Sequence, residues 1–276
     1  LIAFTVVYLR LHALPLGTAE PSREPVARRL ALACVVAAGA LGLSLAGETG
    51  AAAPAVIAAA LVLIVVAIRP LLPVGTLIAR RGLPSVVLMR ALIAGALFGA
   101  EIYVPYLLID DYGFSATTAG LGLTSAALLW AVGADVQGRV GDRLGNARIT
   151  LVGASLLIAA TLAAAATAAW HLPPWVLIAG WALAGAGMGL MYPRLTVLTL
   201  AYSTPQNQGF NSSALSISDS VGASASIAVM GLTFVALSAS NAAFPAVFLI
   251  ATALAVIAVL PGLRMGHVAE SEGLRR

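Results

Sequence analysis

The 276 residues are 61% hydrophobic and only 9% charged, with a formal net charge of +4 and a mean hydropathy of +1.00. A soluble domain needs about a quarter of its residues charged to cover its surface, so a soluble fold is excluded and lipid is the solvent. The fifteen basic residues are all arginine and too dispersed for a phosphate-binding face, which excludes a nucleic-acid-binding module; Cys34 stands alone, which excludes an intramolecular disulfide and a Cys-based metal site.

In chain order, residues 1–14 read as the end of a helix, and 15–27 as a polar, Pro-rich loop. Apolar segments follow at 28–47, 53–70, 84–109, 116–136, 149–170, 174–200, 208–237 and 243–263. Each is long enough to cross a hydrocarbon core of about 30 Å. Backbone in lipid must satisfy its own hydrogen bonds, and helices do so. The expected fold is an all-α, polytopic transmembrane helical bundle of eight complete spans after a partial one.

Charge supplies the orientation. Arginines cluster on alternate connections: Arg23, Arg28 and Arg29; Arg69, Arg80 and Arg81; Arg139, Arg143 and Arg148; then Arg264, Arg275 and Arg276 in the tail. The connections near Glu48, Asp110–Asp111, His171 and 238–241 carry none. An arginine excess marks cytoplasmic loops, so the C-terminus is expected in the cytoplasm. The connection at 203–208 carries no arginine and adds no support.

Four groups of residues stand out. Gly138-Arg139-Val140-Gly141-Asp142-Arg143-Leu144-Gly145-Asn146-Ala147-Arg148 reads as a tight loop between two spans. In it Asp142 is placed to cap a helix or to pair with Arg143 or Arg148. Asp219 lies near mid-depth of its span among seven serines, and Glu101 lies past the middle of its own. An ionised carboxylate costs a few kcal/mol in lipid and so faces a bundle interior, where it marks a proton or ion path or is held by Ser and Tyr hydroxyls. Asp135 and Arg90, near helix ends, read as snorkelling side chains. Arg194, just after Pro193, is open between snorkelling, pairing with an acid and binding an anion.

Tyr103, Tyr106, Trp130, Trp181 and Tyr192 are suited to lining a cavity for an apolar or cationic substrate, and Trp130, Trp181 and Tyr103 are the deeper of them. Trp170 and Trp175 read as interfacial anchors. Gly180, Gly185, Gly187 and Gly189 permit close helix packing, and Pro105 and Pro193 interrupt their helices.

The loop at 138–148 resembles the cytoplasmic signature loop of the major facilitator superfamily in its C-terminal half. Ser115-Ala116-Thr117-Thr118-Ala119-Gly120-Leu121, Gly185-Ala186-Gly187-Met188-Gly189-Leu190-Met191-Tyr192-Pro193, and Gln208-Gly209-Phe210-Asn211-Ser212-Ser213 with Asp219-Ser220-Val221-Gly222 resemble neighbouring helices of that family. Arg69-Pro70-Leu71-Leu72-Pro73 resembles its fourteen-helix drug:proton antiporter branch. The resemblance implies a domain plan: 1–14 ends the N-terminal half, 15–83 holds a loop and two central helices, 84–263 is a six-helix bundle, and 264–276 is a cytoplasmic tail. The N-terminal half would then be a partner outside this sequence.

The function this implies is a secondary active transporter in the plasma membrane (a bacterial inner membrane), exporting small amphipathic compounds or drugs by alternating access. Asp219 and Glu101 would couple protons. Gly138, Gly141, Asp142, Arg143, Gly145 and Arg148 would form a gating loop, and Tyr103, Trp130, Trp181, Tyr192 and Arg194 a substrate cavity. Its partners would be a small-molecule substrate, protons and the bilayer, with no nucleic acid and no cofactor. A metabolite symporter, a lipid exporter and a non-transporting scaffold are the alternatives. An enzyme is disfavoured: the three histidines are scattered, and no triad or metal constellation is present.

Overall fold

The computed structural model describes residues 26–45, 49–50 and 52–265. The expected helix end at 1–14, the loop up to residue 25, Glu48 and the tail from 266 lie outside the described residues. Among the described residues the chain forms nine α-helices and no strand. They are α1 (Val26–Leu45), α2 (Ala53–Ile68), α3 (Leu83–Glu101), α4 (Tyr103–Asp110), α5 (Ala116–Leu144), α6 (Asn146–Trp170), α7 (Pro174–Ala201), α8 (Gln208–Leu237) and α9 (Ala243–Arg264). Among the described residues seven spans are long and apolar enough to cross a membrane, with α3 and α4 counting as one, against the eight complete spans expected; the segment expected at 28–47 is the one that falls short. In α1 the continuous apolar stretch is shorter, Leu30–Leu43.

Local chemistry sets the ends. Pro stands in the first turn of α2, α3 and α7, where its missing N–H costs nothing. Ser115 caps α5 by accepting from the Thr118 N–H at 3.2 Å. The α3–α4 break falls at Ile102, three residues before Pro105. Pro105 has no N–H for the Glu101 carbonyl, and its ring crowds that carbonyl.

The sequence reading of 138–148 as a loop is corrected here. Helix α5 runs on to Leu144 and α6 starts at Asn146, so Gly145 alone forms the turn, at φ +79. Hydropathy locates the edge of the lipid, not the end of the helix. Past the last apolar turn the backbone keeps its own hydrogen bonds, and here the positive φ of Gly145 ends it.

The helices meet through small residues. In lipid there is no hydrophobic force between apolar helices, so contact rests on van der Waals packing of closely approaching backbones. A Cβ on Gly185 or Gly189 of α7 would run into the α5 backbone at Ala126 or Trp130, and one on Gly187 would meet the Gly153 carbonyl of α6. Gly222 of α8 lies against the backbone of Ala91 in α3. Helix α9 packs on α6 and α3, and α1–α2 forms a hairpin whose main bundle contact is α8. One end of the bundle is tied across. The Gly82 N–H donates to the Arg264 carbonyl at 3.1 Å, the Tyr202 hydroxyl donates to the Met265 carbonyl, and Arg264 reaches the carbonyls of Ile78 and Ala79 at 3.4 Å.

Gly185→Ala should therefore destabilise the bundle by about 1–3 kcal/mol through overpacking. Gly120→Ala, where a Cβ meets nothing within 4 Å, should shift stability by less than about 0.5 kcal/mol. Thermal unfolding of the two variants in detergent micelles checks the difference.

Candidate functional site

Three helices bring one charged cluster together. Arg90 of α3 donates from Nε to Asp219 Oδ1 of α8 at 3.0 Å, and the Tyr192 hydroxyl of α7 donates to the same oxygen at 2.6 Å. A second guanidinium N–H of Arg90 donates to the Tyr192 carbonyl at 3.1 Å, and its central carbon stands 3.5 Å from the Tyr192 ring centroid. The pair is largely enclosed, with side chains 13% and 28% exposed. Gly222, three residues past Asp219, lets α8 lie close enough to α3 for the contact to form. The Tyr192 carbonyl that Arg90 uses belongs to the residue before Pro193.

Aromatic rings surround this pair. Trp130 of α5 packs edge-on to Tyr192 at 5.2 Å, and Phe98 of α3 does so at 6.4 Å. Along α8, Ser216 and Ser220 flank Asp219 on an exposed polar strip. Glu101 lies eleven residues beyond Arg90 on α3, close to three full turns, so the two share a helix face about 16 Å apart. The Glu101 carboxylate has no hydrogen-bond partner among the described residues.

A second cluster sits at the α5–α6 turn. Arg194 of α7, 9% exposed, donates to Asp142 Oδ1 and to Asn146 Oδ1, both at 2.7 Å. It joins the last turn of α5, the first residue of α6 and α7. The partner expected for Asp142 was Arg143 or Arg148. Both are exposed, and so is Asp142, whose side chain is 95% exposed; Arg194 reaches its carboxylate from α7. A Cβ on Gly141 would crowd the Gln137 amide nitrogen at 2.8 Å and would meet a guanidinium nitrogen of Arg194 at 3.4 Å, an ordinary contact. A Cβ on Gly138 would meet nothing within 4 Å. Asp135 and Arg139 form an exposed pair one turn earlier on α5, of the kind worth little.

A family model of the Major Facilitator Superfamily matches residues 86–274. The chain belongs to that superfamily. Within this superfamily chain, a stretch of 133 residues, 47% of the chain, is 34% identical to a protein of Streptomyces coelicolor (strain ATCC BAA-471 / A3(2) / M145) named "Probable actinorhodin transporter". The match covers 23% of that relative's length. Membership places a multi-pass, all-α bundle in a membrane and points to transport rather than catalysis.

The residues singled out as a cavity fall into separate places. Tyr192 and Trp130 meet at the Arg90–Asp219 pair. Tyr103 instead packs on Phe234 at 5.1 Å, beyond the α3–α4 break. Trp181 is completely buried in the core, and its indole N–H finds no acceptor. Arg194 belongs with Asp142. Arg90 is the functional candidate that its sequence position hid, since its acidic partner lies 129 residues away. Among the described residues no three His, Cys, Asp or Glu side chains are grouped to hold a metal ion.

Arg90→Gln and Asp219→Asn should each destabilise the bundle, and the double variant should lose less than the sum. A double-mutant cycle on thermal stability in micelles should give a coupling of about 0.5–3 kcal/mol.

Proposed function

We propose that this chain is part of a proton-coupled transporter that exports small amphipathic compounds by alternating access. The observation that carries the reading is the Arg90–Asp219–Tyr192 cluster, which ties α3, α7 and α8 together inside the spans. Protonating Asp219 removes the counter-ion of Arg90 and releases the bond that joins α3 to α8. A proton then biases the packing of helices, as coupling requires. Glu101, on the same face of α3 and without a partner among the described residues, serves as a second station on the proton path.

The rest of the expected machinery fits the same scheme. Arg194 fastens Asp142 and Asn146 at the hairpin turn, and this fastening is the gate. The hairpin end faces the cytoplasm of a plasma membrane, and α1–α2 are the central helices between two six-helix halves. Trp130 and Tyr192, with Phe98, offer ring faces to the apolar part of a substrate. The relative named as a transporter supports small-molecule transport. One observation favours a second reading: once Asp219 is neutral, Arg90 requires another anion. An anionic substrate taken up together with the proton would make the protein a symporter.

Uphill transport in proteoliposomes under an imposed pH gradient tests both. Asp219→Asn should abolish it, and Glu101→Gln should reduce it at least about tenfold. Unchanged uphill transport in both variants would sink the coupling assignment. Substrate moving with the proton gradient rather than against it selects the symport reading. Asp142→Asn should lower turnover by about tenfold or more while leaving substrate affinity within about twofold; normal turnover would count against the gate.

A further inference from the structure

The end of the bundle opposite the α5–α6 turn holds a cavity of about 330 Å³, unrelated to the central cluster. It opens between the ends of α4, α6 and α8 and the start of α9. Its apolar wall is a triangle of rings. Tyr106 lies 5.3 Å from Phe234 and 5.2 Å from Phe244, and those two are 4.9 Å apart. Tyr103 extends the wall behind Phe234. Asp110 and Asp111 form the rim with His171 and Asn241, and no arginine is among the described residues that line the cavity.

Two independent features give this cavity a sign. Neither rim carboxylate has a hydrogen bond or ion pair to its side chain among the described residues, whereas Asp135, Asp142 and Asp219 each hold an arginine. The lining hydroxyls bring no compensating donor, because Ser238 and Ser240 donate to the carbonyls of Val235 and Leu237. Aromatic faces carry negative potential and attract cations that are weakly hydrated. The rim is also held in place. The Tyr112 hydroxyl donates to the Leu172 carbonyl at 2.5 Å, and its ring packs on His171 at 5.8 Å. Burial first, and then the charge of Asp111, push the Tyr112 hydroxyl up from its ordinary value, so it remains a donor.

We propose that this cavity is a binding site for a small aromatic or quaternary ammonium cation, with Tyr106, Phe234 and Phe244 facing the cation's apolar body and Asp110 and Asp111 compensating its charge. Its volume is at the small end of the range for ligand sites. The site stands apart from Asp219 and does not depend on the coupling scheme.

The test is equilibrium dialysis of the purified full chain in detergent micelles against phenyltrimethylammonium, with benzenesulfonate as an anion of similar size. Saturable binding of the cation, and none of the anion, is expected. The double variant Asp110→Asn with Asp111→Asn should weaken cation binding about tenfold or more, and Phe234→Leu about fivefold. Asp135→Asn, an exposed carboxylate elsewhere, should leave it unaltered. Equal binding of the two probes, or an unchanged affinity in the double variant, would overturn the proposal. Circular dichroism of each variant confirms that the helices are intact, and Tyr106→Leu gives a second reading of the aromatic wall if Phe234→Leu fails to fold.

Discussion

An arginine drawn into a lipid-spanning bundle needs an anion, a set of carbonyls or a route to water, and Arg90 uses the first two. Its charge is met by Asp219 and by the Tyr192 carbonyl, with the Tyr192 ring beneath it. Breaking such an enclosed pair from one side leaves the other charge uncompensated, at a cost of about 3–5 kcal/mol. The pair therefore constrains α3, α7 and α8 as a set. A change in any one of the three side chains has to be accommodated by the other two.

The pair exists only because backbones come close. Gly222 lies on the Ala91 backbone one residue from Arg90, and a side chain there would lift α8 and its carboxylate away from α3. The same logic governs α7, which presents Gly185 and Gly189 to α5 and Gly187 to α6. Small residues thus do two jobs. They supply the packing that holds helices together in lipid, and they set the spacing at which buried charges can meet.

Much of this was legible in the sequence. Hydropathy located the spans, the carboxylates inside them were visible as anomalies, and the glycines of α7 read correctly as packing residues. What could not be read was pairing across helices. Arg90 resembled a snorkelling residue because its depth is counted along its own helix, while its partner is fixed by how α3 and α8 cross. The hairpin misled for a different reason: Gly, Arg and Asp end an apolar run without ending a helix, and α5 continues to Leu144. Trp181 shows the same limit in reverse, since depth in a span does not distinguish a cavity wall from a core. The aromatic cavity beside Asp110 draws its rings from three helices, and no local motif announces it.

The cross-ties at Gly82, Arg264, Tyr202 and Met265 have a mechanical consequence. They join the start of α3 to the end of α9, and the end of α7 to Met265, so three helix ends are tied together at one rim. Parting these helix ends requires breaking those bonds. The other rim holds the cavity between α4, α6, α8 and α9. The two rims therefore differ in kind: backbone ties close one, and ring contacts among Tyr106, Phe234 and Phe244 border the cavity at the other.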